Sequence, residues 1–347
     1  MKKKPFGRTS LSVSELCLDL QSFEGRHNEE HAFALLDAFQ AAGGNFVQAS
    51  VPCPGFPLVI DAAGLPETHL GRWMQIRKVP RSDLRLSLRL TVHRPFSRAA
   101  SVSAMIREAV EASLRRLNTD HLDYLFLEWT ETLLPLEETF ATVERLIQAG
   151  QVRAGAVSGF PNWRVTELME SAGRATVARP EAMQIDFSLL HRGHAQREAQ
   201  DLAREHRLAL LARTPLARGR LARPPKPTAF GGYTRTGRVL DVLSRCARAR
   251  GVSAAQIAHA WVLAAPAVTA MVIRPRTVAH LNEAVAATRL ALTSEELFLL
   301  DDVSFAPAPH RPRRSVGSSR LPAALLAPLL PAAPAFDSFF SHQILHA

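Results

Sequence analysis

The chain is short of cysteine, tyrosine and lysine, and each shortage closes off a class of protein. Its three cysteines, Cys17, Cys53 and Cys246, are widely spaced and odd in number, which argues against a disulfide framework and against a zinc site. Only two tyrosines occur, Tyr124 and Tyr233, so no phenol precedes residue 124. Lysine supplies five of the 42 basic residues, at positions 2, 3, 4, 78 and 226, and arginine the other 37. The net charge of +10 therefore rests on arginines, many of them standing singly on helical stretches, as at Arg107, Arg145 and Arg204. The densest cluster, Arg311-Pro312-Arg313-Arg314, is short and lacks aromatic or motif support, so no nucleic-acid partner is expected. No apolar run is long enough for a membrane span, and no membrane insertion is expected. The basic start Met1-Lys2-Lys3-Lys4-Pro5-Phe6 leads into no apolar h-region or cleavage site, so a cytoplasmic location is the simplest expectation. No Gly-x-Gly-x-x-Gly follows the first strand-like segment, which disfavours a Rossmann domain.

What is present is enough apolar residue for a large core, 47% of the chain, arranged in a regular alternation. Strands are expected at 14–18, 45–48, 84–90, 124–127, 152–157, 182–184, 208–212 and 268–273. Helices are expected at 29–42, 68–74, 101–117, 136–149, 163–171, 195–206, 254–264 and 278–287. The first helix carries Ala32, Phe33, Leu35, Leu36 and Phe39 at helical spacing and stops at Gly43-Gly44. The third opens at a Ser101 cap, with Ile106, Val110 and Leu114 on one stripe. Eight strand–helix units call for parallel strands and right-handed crossovers, and eight favour a closed (β/α)₈ barrel over an open sheet. The barrel is expected over residues 1–304. Residues 305–347 read as a Pro/Ala/Arg-rich tail ending in the apolar Phe336-Asp337-Ser338-Phe339-Phe340; it is either a disordered extension or, as the family resemblance described next implies, a cap over the barrel mouth.

Several segments, in order, carry a family resemblance. They are Phe6-Gly7-Arg8-Thr9-Ser10-Leu11-Ser12-Val13-Ser14, Asn45-Phe46-Val47-Gln48-Ala49-Ser50-Val51-Pro52-Cys53 and Leu84-Arg85-Leu86-Ser87-Leu88-Arg89. Next come Glu111-Ala112-Ser113-Leu114-Arg115-Arg116-Leu117, His121-Leu122-Asp123-Tyr124-Leu125-Phe126-Leu127-Glu128-Trp129 and Leu292-Thr293-Ser294-Glu295-Glu296-Leu297. Together they resemble the aldo-keto reductases over residues 6–304, and the resemblance implies a TIM barrel with NADPH as cofactor. Those enzymes donate a proton through a tetrad of Asp, Tyr, Lys and His. The matching positions here are Gln48, Cys53, Arg89 and Glu128, so all four are substituted.

The resemblance also assigns a cofactor site, partly retained. Ser158 and Gln184 match residues that hold the nicotinamide carboxamide, Phe187 stands where a Tyr stacks on the ring, and Thr214 and Leu216 match a pyrophosphate contact. A phenyl face stacks as well as a phenol. Arg276, Thr277 and Glu283 match the adenosine-phosphate end, where Arg276 could pair with a 2′-phosphate. Around them, Arg274 replaces a Gly that allows close backbone approach, Pro275 removes an N–H, and Ala284 replaces an Asn. Asp19 introduces a carboxylate near the nicotinamide position. Weak or lost NADPH binding is expected.

The substituted tetrad changes the chemistry. Cys53 is several bonds shorter than Tyr, Arg89 does not lose its proton at working pH, and Gln48 carries no charge. Glu128 has a parallel in the steroid 5β-reductases of the same family, where Glu assists reduction of a carbon–carbon double bond. Arg89 and Glu128 end consecutive strands, so an ion pair across the mouth is the expected arrangement. Cys53 is read as a small buried residue, with a thiol activated by Arg89 as the alternative. The apolar loop Pro54-Gly55-Phe56-Pro57-Leu58-Val59-Ile60 suits a lipophilic ligand, a protein partner or simple filling of the pocket. The expected function is a catalytically impaired barrel acting as a binding or regulatory module, as potassium-channel β-subunits of the family do. The alternative is an NADPH-dependent oxidoreductase acting on a carbonyl or activated C=C, with Glu128 or Cys53 as proton donor. A cofactor-free enzyme is the third class.

Overall fold

The computed structural model describes residues 1–23, 29–52, 65–92, 101–130, 135–172, 176–222 and 234–305. Its first element is an antiparallel hairpin, β1 (Lys3–Pro5) and β2 (Ser12–Ser14). Eight parallel strands follow: β3 (Leu16–Asp19), β4 (Phe46–Pro52), β5 (Arg85–Thr91), β6 (Leu122–Glu128), β7 (Val152–Ser158), β8 (Pro180–Asp186), β9 (Ala209–Arg213) and β10 (Val268–Ile273). Each pairs with the next in the chain, and β10 returns to β3, which closes the barrel and leaves no edge. The expected (β/α)₈ architecture is thus present.

Helices α1 (Glu29–Ala41), α2 (Leu65–Ile76), α3 (Val102–Leu117), α4 (Leu136–Gln148), α5 (Asn162–Ser171) and α6 (His194–Glu205) fall within a few residues of the expected positions. So do α8 (Ala254–Ala264) and α9 (Val278–Ala287). Two helices exceed the expectation, α7 (Arg235–Arg250) and α10 (Ser294–Ser304). Arginine accounts for five of the sixteen residues of α7 and masks a buried stripe of Val239, Val242, Leu243, Cys246 and Ala247. The start of α10 is a capping box between Thr293 and Glu296, readable in the sequence as Thr-x-x-Glu. The expected strand at 14–18 is divided. Ser14 belongs to the hairpin, and the barrel strand begins at Leu16. Among the described residues no helix is long and apolar enough to cross a membrane.

Alternation along each strand sorts the side chains. On β5, Leu86, Leu88 and Leu90 join the core beneath the helices, while Ser87, Arg89 and Thr91 face inward. The interior is graded along its axis. Nearest the hairpin, Phe46, Tyr124 and Phe126 fill the space left by Ala154, Ala156, Ala182, Ala209 and Ala270. Phe6, from the hairpin loop, enters this cluster and stacks on Tyr124 with ring centroids 3.7 Å apart. One inward step further the residues are Gln48, Ser87, Ser158 and Gln184. At the C-terminal ends they are Asp19, Ser50, Arg89, Glu128, Asp186 and Arg213.

Candidate active site

The mouth at the C-terminal strand ends is where a (β/α)₈ barrel places its chemistry. The expected pair between Arg89 and Glu128 is formed, Arg89 Nη1 lying 2.6 Å from Glu128 Oε1. It does not stand alone. Arg213, at the end of β9, donates Nη1 to the same oxygen at 2.8 Å and Nε to Asp186 Oδ1 at 2.9 Å. Thr91 Oγ1 donates to Glu128 Oε2 at 2.6 Å, and Thr214 Oγ1 to Asp186 Oδ1 at 3.1 Å. Arg89 is completed by Ser50 Oγ at 3.1 Å and Gln21 Oε1 at 3.2 Å.

These contacts fix the protonation states. Burial raises the pKa of Glu128, but Arg89, Thr91 and Arg213 together outweigh it and hold the carboxyl below the usual carboxylate range. Asp186 follows the same pattern, burial being outweighed by Arg213 and Thr214. Arg213 mirrors it, since Asp186 and Glu128 overcome the effect of burial and raise its pKa. Glu128 is therefore a carboxylate at neutral pH. Its oxygens accept hydrogen bonds there from Arg89, Arg213 and Thr91.

A second chain of bonds lies one layer deeper. Ser158 Oγ donates to Gln184 Oε1 at 3.0 Å, and Gln184 Nε2 donates to Gln48 Oε1 at 3.1 Å. All three residues are buried, and Gln48 Nε2 has no hydrogen-bond partner among the described residues. The substituted tetrad position is thereby joined to the two residues the resemblance assigns to a carboxamide. On the closing side, Arg274 Nε lies 2.9 Å from Asp19 Oδ2, so the carboxylate expected near the nicotinamide position is compensated by its neighbour across the β3–β10 seam.

The remaining expected residues take part in neither network. Phe187 is fully buried, its ring 5.6 Å from that of Trp261 and inclined at 34°. Leu216 is half-buried against the outer core. Arg276 is exposed, and Thr277 Oγ1 accepts from His280 N to cap α9. Glu283 is half-buried on α9 beside the buried Ala284. Cys53 lies outside the described residues, as does the tail from residue 306. Among the described residues no group of three or more His, Cys, Asp or Glu could hold a metal ion.

Sequence reasoning missed Arg213 and Asp186. Their signal was the two-residue period of inward positions, which carries Gln184 on to Asp186 and Leu211 on to Arg213. Asp19 and Arg274 were noted singly, because they become neighbours only when the last strand closes on the first.

A family model described as the aldo/keto reductase family matches residues 16–304. An uncharacterized oxidoreductase, YrpG, of Bacillus subtilis (strain 168) is 29% identical over 326 residues, spanning 88% of this chain and 97% of its own length. Norsolorinic acid reductase stcV of Emericella nidulans is 28% identical, over 84% of this chain and 78% of its own. Methylglyoxal reductase YeaE of Escherichia coli (strain K12) is 32% identical, over 57% of this chain and 64% of its own. The family match begins at the first residue of β3 and ends at the last of α10. With the closed barrel, its mouth and the ordered segments in register, the chain belongs to the aldo/keto reductase family.

Proposed function

We propose that this barrel does not run the tetrad-dependent carbonyl reduction of its family and acts as a binding or regulatory module for an apolar small molecule or a protein partner. One observation carries the reading. Two arginines converge on Glu128 Oε1, at 2.6 and 2.8 Å, in the space the family gives to proton transfer. Of the described tetrad positions, Arg89 is a permanent cation, Glu128 is held ionised and Gln48 does not titrate, so none supplies an acid at neutral pH.

The residues present do not fit NADPH as the family holds it. At the phosphate end Arg274 replaces the small residue and is tied to Asp19, and Pro275 offers no N–H. Direct titration with NADPH, read by cofactor fluorescence and calorimetry, separates the readings. The proposal expects no saturation at millimolar cofactor. Micromolar binding with turnover of an aldehyde, ketone or enone would overturn it.

The second reading is a working NADPH-dependent oxidoreductase, and one observation favours it. Gln48 Nε2 is a buried donor without an acceptor, at the end of the Ser158–Gln184–Gln48 chain, and such an orphan is costly unless a ligand meets it. Under this reading Glu128→Ala would change turnover and leave cofactor affinity unaltered.

A further inference from the structure

The end of the barrel away from the mouth carries an open groove of about 250 Å³ lined by Arg8, Thr9, Glu144, Arg153, Arg179 and Glu181. Its charges are not balanced. Glu181 is fully engaged, accepting from Arg8 N at 3.0 Å, Arg8 Nη2 at 2.9 Å and Arg179 Nη1 at 3.1 Å. Arg153 Nη1 reaches Asp123 Oδ1 at 3.2 Å, but Asp123 is shared with Arg81, whose Nη2 lies 2.8 Å from Oδ2. Four guanidiniums thus stand against Asp123, Glu181 and Glu144. Glu144 makes no ion pair among the described residues and accepts only from Gln148 Nε2 at 3.1 Å. Each guanidinium has five N–H donors in a planar fork, and Arg8, Arg153 and Arg179 give Nε–H to no acceptor among the described residues. Burial lowers the pKa of Arg179, Glu181 opposes this, and Arg8 adds to the lowering, as expected of two cations crowded on one carboxylate.

We propose that this groove binds inorganic phosphate, held by Arg8, Arg153 and Arg179, with Glu144 as acceptor. The space equals about eight water volumes at ~30 Å³ each, enough for a small tetrahedral oxyanion with a few waters. Guanidinium forks match the oxyanion's geometry. Glu144 supplies the selectivity. Hydrogenphosphate keeps one P–OH at neutral pH and can donate it to a carboxylate, whereas sulfate has no proton to give and would meet Glu144 as a like charge.

Calorimetry and thermal unfolding of the full chain, with sodium phosphate and sodium sulfate at matched ionic strength and pH 7, test this. Saturable 1:1 binding of phosphate is expected, with sulfate weaker by about tenfold, the effect of one charge-assisted hydrogen bond. Arg153→Met should weaken phosphate by a similar factor; its side chain is half-exposed, and the fold should survive. Arg107→Met, an equal loss of charge at an exposed position of α3, should change nothing. The proposal fails if phosphate gives no saturable binding, if sulfate binds equally well, or if Arg107→Met weakens phosphate as much as Arg153→Met.

Discussion

Replacing Glu128 by Gln keeps the shape of the mouth and removes only its central charge. The amide oxygen still accepts from Arg89 and Arg213, and Thr91 can turn its hydroxyl to accept where it had donated. Arg213 retains Asp186 at 2.9 Å. Arg89 retains only neutral partners, Ser50 and Gln21, and its side chain is 6% exposed. Two unit charges about 4 Å apart at an effective dielectric near 20 attract by ~4 kcal/mol, and orphaning one partner of a buried pair costs ~3–5 kcal/mol. Glu128 is 19% exposed, so the lower end applies and a loss of about 3 kcal/mol is expected. Urea unfolding followed by circular dichroism measures it, with Asp201→Asn as reference. That residue pairs with Arg204, both largely exposed, and should cost less than ~1 kcal/mol. The Glu128 effect should also persist in high salt, because screening acts on solvated charges. A loss below ~1 kcal/mol that vanishes with salt would mean the mouth is wet, and the argument that its charges are locked to one another would fall.

Other outcomes follow from single positions. His259 is buried on α8 with Nδ1 unpaired, and burial lowers its pKa from 6.5 to about 4. The unfolded chain binds a proton there that the folded chain refuses. Stability is therefore complete above pH ~6.5 and falls by about 3 kcal/mol as pH drops towards 4. His259→Leu should abolish that slope in urea titrations, leaving the losses below pH ~4 that Glu128 and Asp186 cause as they protonate. Gly71→Ala gains about 1 kcal/mol of helix propensity. The new Cβ, however, would stand 2.5 Å from the Arg116 carbonyl oxygen of α3. Separating α2 from α3 costs ~1–3 kcal/mol, so a lower melting temperature is expected, and a higher one would refute the close approach.

The fold was legible because the period of the apolar residues is local information. The eight strands and the helices flanked by Gly43-Gly44, Ser101 and Gly150 needed nothing beyond neighbours in the chain. Helix α7 was not legible as readily, since its arginines lower the apparent periodicity although its buried stripe is regular. At the site, the Arg89–Glu128 pair could be anticipated because β5 and β6 are consecutive. Arg213 comes from β9 and lies 85 residues from Glu128 in the chain. Its partnership depends on barrel diameter and tilt, which no local pattern encodes. Asp19 and Arg274 are separated by 255 residues and meet only through closure. The resemblance to known enzymes supplied the roles. The structure supplied the protonation state of Glu128, which depends on three partners at once.

The hairpin at the start of the chain has a consequence for synthesis. Phe6 packs on Phe46, Tyr124 and Phe126, all early in the chain, but the alanines that make room for these rings run from Ala154 to Ala270. Lys4 Nζ bonds to Val268 O at 2.8 Å, and β3 has an open flank until β10 is there to pair with it. A partly made barrel would therefore expose two strand edges, that of β3 and that of the last strand added. A chaperone or a slow-translating stretch would have most effect in the interval before residue 268 emerges.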